Sequence, residues 1–128
     1  MLTDLVDHVL GVAPDRDRIT VAVVAARNQG VVASNTFPTT PRGYRAALRW
    51  AAEHTEQGRR AWAIEGAGGY GAGLATTLTA EGEHVVEFDH PSARPSKDGA
   101  KTDALDAIRA ARETLGRTSW ATPRSRGA

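Results

Sequence analysis

The chain contains no cysteine. That absence removes disulfides, thiolate nucleophiles and zinc–thiolate sites together, and it fits a reducing compartment. A long apolar run is also missing. The longest aliphatic stretch, residues 21–26, is about a third of the ~20 residues needed to span a bilayer. The N-terminus, Met1-Leu2-Thr3-Asp4-Leu5-Val6-Asp7-His8, is acidic where a signal peptide is basic. No internal repeat or low-complexity tract is visible. These absences predict a cytoplasmic protein with no membrane partner. His8, His54, His84 and His90 are scattered without metal-ligand spacing and read as ordinary surface or core residues.

What is present suits one folded domain. At 128 residues the chain can bury a single real core but not two. A net charge of +1 conceals a division: residues 1–93 hold 8 Lys/Arg and 11 Asp/Glu, a net of −3, and residues 94–128 hold 8 and 4, a net of +4. The excess of cations near the C-terminus, with Arg109, Arg112, Arg117, Arg124 and Arg126, suits a nucleic-acid backbone or a solvated terminus. We therefore divide the chain into a domain over 1–116 and a basic, flexible tail over 117–128.

The order of elements is legible from local patterns. A short apolar run at 8–13 precedes a polar turn, and Ile19-Thr20-Val21-Ala22-Val23-Val24-Ala25 is rich in β-branched residues, as strands are. Asn28-Gln29-Gly30 supplies a hairpin turn into a strand at 31–37. Thr40 can cap a helix with Pro41 at its first position, where proline's missing N–H costs nothing. Tyr44, Ala47, Leu48 and Ala51 then recur at i, i+3, i+4 and i+7. This helix should reach about residue 56, with Gly58 ending it. A strand at 61–65, a helix near 71–81, a strand at 84–88 and a last helix at about 102–115, capped by Thr102, complete a βββαβαβα order. That order implies a mixed α/β sheet rather than a repeating βα unit. Trp50 and Trp62 suit core packing, whereas Trp120 in the tail has either a packing contact or a base to stack on.

Gly66-Ala67-Gly68-Gly69-Tyr70-Gly71 fits the G-x-G-x-x-G dinucleotide fingerprint between a strand and a helix, with Glu87 some twenty residues on. Two objections stand against a nucleotide-binding α/β domain. Glu65 would set a negative charge beside a pyrophosphate, and the unit follows three strands and a helix instead of opening the domain. Glycines that let a helix pack close to a strand end explain the run by backbone sterics alone.

The acids are the more informative feature. In Gly99-Ala100-Lys101-Thr102-Asp103-Ala104-Leu105-Asp106-Ala107, two carboxylates three residues apart open a helix. Such a pair lies on one side, about 5–6 Å apart at Cβ, and can touch one cation. The same acids also complement the helix dipole with no ligand at all. Glu65 ends an apolar strand, where an unpartnered carboxylate is costly and a cation or basic partner is expected. Hard oxygen donors of this kind suit Mg2+ or Mn2+.

Together these segments resemble the N-terminal, RuvC-like domain of the DEDD-type insertion-sequence transposases, the bridge-RNA-guided recombinase group. The resemblance rests on Phe37-Pro38-Thr39-Thr40-Pro41-Arg42-Gly43-Tyr44, on Ile64-Glu65-Gly66-Ala67-Gly68-Gly69-Tyr70-Gly71-Ala72-Gly73-Leu74, on 99–107 and on Ala121-Thr122-Pro123-Arg124-Ser125-Arg126. It implies an RNase H-like fold with a five-stranded mixed sheet flanked by helices. It also implies DNA transposition by divalent-metal phosphodiester chemistry, with DNA, a structured guide RNA and a homo-oligomer as partners. Glu65, Asp103 and Asp106 take the second, third and fourth acidic roles, as catalytic metal ligands. Lys101, Arg109 and Arg112 become candidate nucleic-acid contacts, Lys101 being equally explicable as solvated. The chain departs from the pattern twice. Ala13 stands where the first acid belongs, with Asp15 two residues further along a turn and expected to lie elsewhere, and the sequence stops before the family's serine domain. The resemblance therefore leaves two readings: a transposase domain inactive as this isolated chain, or a non-catalytic remnant with residual nucleic-acid binding.

Overall fold

The computed structural model describes residues 5–55, 58–66, 68–88 and 100–116. Eight elements follow the expected order: β1 (His8–Pro14), β2 (Arg18–Ala25), β3 (Val31–Pro38), α1 (Pro41–His54), β4 (Arg60–Glu65), α2 (Ala72–Ala80), β5 (His84–Phe88) and α3 (Ala100–Gly116). The five strands form one sheet in the order β3-β2-β1-β4-β5. β1 to β3 make an antiparallel meander, while β4 pairs parallel with both β1 and β5. This is a mixed α/β sheet with the RuvC-like, RNase H-like element order. The basic tail at 117–128 and Trp120 lie outside the described residues.

Strand alternation sends the two faces of β1 and β4 to different helices. Leu10, Val12, Trp62 and Ile64 join Tyr44, Ala47, Ala51, Leu74 and Leu78 in the main core, under α1 and α2. Val9, Ala61 and Ala63 meet Ala111 and Leu115 of α3 on the opposite face, and Ala13 and Ala22 meet Ala107. The α3 face is built from small residues because the helix lies very close. A Cβ on Gly11 would collide with the carbonyl oxygen of Ala107 and approach the Ala111 nitrogen to 2.9 Å. Glycine at position 11 is thus what lets α3 settle on the centre of the sheet.

Local chemistry explains the element ends, with three differences from the expected boundaries. Thr40 caps α1 through its hydroxyl, which accepts from Gly43 N at 3.0 Å, with Pro41 following. The helix stops at His54 with Thr55 as its C-cap, short of 56. Thr55 turns its hydroxyl back onto Ala51 O at 2.8 Å, and Gly58 uses its positive φ of 94° in the approach to β4 instead. In the β2–β3 turn Gln29, not Gly30, adopts the left-handed conformation (φ 59°), while Asn28 Oδ1 accepts from Gly30 N at 2.8 Å. α3 begins at Ala100, so Thr102 falls inside its first turn and is not the cap. Trp62 is fully buried, and Trp50 packs edge-on to Phe37 at 5.6 Å between ring centres. Among the described residues no helix is long and apolar enough to cross a membrane.

Candidate carboxylate site

β1 and β4 run side by side in parallel, and Val12 pairs with Ile64. The next residues along the two strands are therefore Ala13 and Glu65. Because Ala61 and Ala63 face α3, alternation puts Glu65 on that face too, at the C-terminal end of the central strands. Glu65 is half-buried. α3 crosses the same region with Ala107 on Ala13, and Asp103 lies one turn before Ala107. Between the end of β4, which carries Glu65, and the turn of α3 that carries Asp103 lies Ala13, 6% exposed.

The two helix acids differ in environment. Asp103 is half-buried, and its Oδ2 is buried with no hydrogen-bond partner. Burial pushes its carboxyl above the ordinary range, the charge on Asp15 pushes further, Arg18 counteracts, and Asp106 adds a smaller push. Asp106 is instead paired with Arg109 at 3.3 Å, one turn along the helix. Asp15 is nearer the site than its place in a turn suggests. The β1–β2 hairpin stays paired through Asp15 N, which donates to Arg18 O at 2.9 Å, so residue 15, just past the end of β1, stays beside the sheet and close enough for its charge to reach Asp103. Its Oδ1 accepts from Arg16 N at 2.8 Å, which ties the carboxylate to its own turn.

A divalent cation suits hard oxygen donors, and the orphaned Asp103 oxygen is such a donor. The set as a whole does not fit a two-cation centre. Ala13 offers no side-chain oxygen, and among the described residues no three acidic or histidine side chains come together as a metal-holding group. Of the expected nucleic-acid contacts, Arg109 is engaged with Asp106 and Arg112 Nε donates to Gln29 O at 3.0 Å. The side chain of Lys101 lies outside the described residues.

The glycine-rich turn has steric uses in place of a pyrophosphate. Gly66 takes a left-handed φ of 70°, directly after Glu65, and a Cβ on Gly71 would come within 2.7 Å of Ile64 Cγ2 and 3.2 Å of Pro14 Cγ. The turn brings α2 against the strand ends, as backbone sterics predict. Tyr70 projects from it, 54% exposed.

Comparison with known proteins found similar folds among solved structures. One is the Thermus thermophilus RuvC structure, with a TM-score of 0.54 and 15% identity over 81% of this chain and 90% of that one. Another is T. thermophilus RuvC in complex with Holliday junction substrate, with a TM-score of 0.53 and 13% identity over 85% of this chain and 96% of that one. No curated protein matches. A family model described as a transposase, the DEDD type of the IS110 group, matches residues 16–125.

Proposed function

The chain belongs to the IS110-type DEDD transposase family, and on that premise we propose that it is the carboxylate-bearing domain of a DNA transposase whose own site is disarmed at Ala13. One observation carries the reading. Ala13 follows the last β1–β4 pair beside Glu65 and rests on Ala107, a turn from Asp103, so the position best placed to bridge strand and helix acids has no side-chain oxygen.

A carboxylate set of this kind, when complete, holds Mg2+ or Mn2+ that activate a nucleophile and stabilise a leaving oxygen in phosphodiester exchange. With the first acid gone, three candidate ligands remain, and one of them, Asp106, is occupied by Arg109. The residues present therefore do not fit a two-cation centre, and this chain carries no metal-dependent step. Its remaining role is to bind DNA, in keeping with the family and with the junction-bound RuvC that shares its fold. The guide RNA and the homo-oligomer implied by the resemblance belong to the same proposal.

Calorimetric titration of Mn2+ into this chain and into its Ala13→Asp variant tests it. The expected result is two-site binding by the variant and weak or no binding by the parent. Equal, tight binding by both would overturn the disarmed reading, with Asp15 the first residue to examine. Binding by neither would remove Glu65, Asp103 and Asp106 as a metal set.

A further inference from the structure

Helix α1 carries three exposed arginines, Arg42, Arg45 and Arg49. Their i, i+3, i+7 spacing aligns them in one stripe, while Tyr44, Ala47 and Ala51 face the core. Over seven residues the stripe runs about 10 Å along the helix. None of the three makes an ion pair or hydrogen bond with a described residue. Arg16, Arg60, Arg109 and Arg112 each have such a partner; the exposed side chains of Arg27 and Arg59 also lack one among the described residues, but they stand singly at the far end of the sheet and form no stripe.

The stripe works against the helix that bears it. Arg42 sits in the first turn, at the positive end of the helix dipole, and that turn holds no acid. Arg45 and Arg49 are an i, i+4 like-charge pair, also unfavourable. Two acids lie close by: Glu53 continues the stripe toward the C-terminus, and Glu81 borders the shallow groove with Arg45, Leu48, Arg49 and Ala52. Neither comes within ion-pair distance of an arginine in the stripe. An external polyanion would relieve both penalties at once.

Topology gives the stripe its place. β3 is antiparallel to β2, and β2 to β1, so β3 ends where β1 ends, at the carboxylate end of the sheet. α1 starts three residues after β3. Arg42 therefore lies near that end, and Arg45 and Arg49 descend along the face opposite α3.

We propose that Arg42, Arg45 and Arg49 form a docking surface for the phosphate backbone of duplex DNA flanking the carboxylate site. The inference rests on the DNA-transposase reading and adds to it a second contact face. Guanidinium forks match phosphate oxygens in pairs, and duplex DNA presents a charge about every 1.7 Å of its axis, so 10 Å of helix meets several phosphates. Because the sheet separates the stripe from Asp103, the DNA it holds is a flank and not the reacting strand.

The test is fluorescence anisotropy of a labelled random-sequence DNA duplex across a salt series. It compares the full chain, an Arg42→Gln/Arg45→Gln/Arg49→Gln variant, and an Arg27→Gln/Arg59→Gln control at the far end of the sheet. Glutamine retains helix propensity, and far-UV circular dichroism verifies the fold. The slope of log affinity against log salt should fall by about 2 to 3 in the triple variant, near 0.9 for each phosphate no longer neutralised, and stay at the parent value in the control. A triple variant with the parent slope and affinity overturns the stripe alone. A parent chain that does not bind DNA overturns the stripe and the DNA-binding reading together. Duplex RNA of the same sequence displacing the DNA tenfold more effectively overturns the assignment of the stripe to DNA.

Discussion

Ala13 of β1 rests on Ala107 of α3, one helical turn from Asp103. A methyl-to-methyl contact thus lies one helical turn from Asp103, whose Oδ2 is buried without a partner. Apolar packing there stabilises the fold, and a carboxylate in the same place would trade stability for chemistry.

That trade is measurable with Ala13→Asp in a second way. Without metal, a carboxylate placed against Ala107 should cost roughly 3 kcal/mol, because a buried charge lacks a partner. Mn2+ at a hundred times its Kd should restore about 2.7 kcal/mol through binding linkage. Thermal melts in EDTA and in Mn2+ read both effects. A melting temperature unaffected by Mn2+ would count against this region as a metal site.

Gly11 should tolerate no side chain. Gly11→Ala drives a methyl into the Ala107 carbonyl and the α3 backbone, and overpacking of that kind costs about 1–3 kcal/mol or more. Urea unfolding should show a lower midpoint with an unchanged m-value. An unchanged midpoint would mean that α3 can lift off the sheet at little cost.

Asp103 makes stability depend on pH in a definite direction. Burial and Asp15 raise its carboxyl above the ordinary value in the folded chain. Between the unfolded and folded values the native state therefore holds a proton that the unfolded state has released. Stability falls as pH rises through that window and stays lowered above it. Asp103→Asn should flatten this slope and raise the melting temperature at neutral pH. In Asp15→Asn, carboxyl NMR should find the Asp103 midpoint lowered toward the ordinary range, and an unmoved midpoint would remove the Asp15 contribution.

At the other end of the sheet, Glu83 holds two partners. Its oxygens accept from Arg60 Nε at 2.9 Å and Nη2 at 2.8 Å, and from the Trp62 indole at 2.8 Å. Glu83→Ala leaves a half-buried guanidinium and a buried N–H unsatisfied, and should cost about 2–4 kcal/mol. Glu83→Gln should lose less, since its amide oxygen can still accept one bond. Chemical denaturation of the two variants separates the charge from the hydrogen bonds.

Much of this was legible in the linear chain because the relevant physics is local. Thr40-Pro41 specifies a helix start within four residues, and the β-branched run at 19–25 specifies a strand. Glu65, Asp103 and Asp106 stand out by position and by resemblance; the fold sets Glu65 at the end of β4 and both aspartates in the first half of α3, without gathering three acids into one group among the described residues. What escaped depends on contacts distant in sequence. The C-terminal excess of cations drew attention to Arg109 and Arg112, yet the first is engaged by Asp106 and the second by Gln29, 83 residues away. The α1 arginines carry no core periodicity of their own, and their shared lack of a partner among the described residues shows only in three dimensions. Asp15 does sit at the turn, just past β1, but its N–H pairing with Arg18 O keeps it beside the sheet and within electrostatic reach of Asp103.

The close seat of α3 on Gly11, Ala13 and Ala22 has a consequence for synthesis. Those residues belong to the first two strands, whereas the helix that covers them ends at Gly116. As the chain leaves the ribosome, the meander can form with one face bare, and no earlier described element covers it. Until the last helix emerges, that strip of small apolar residues stays wet and open to whatever nascent-chain factor or neighbouring chain arrives first, and the Ala13–Ala107 contact does not yet exist.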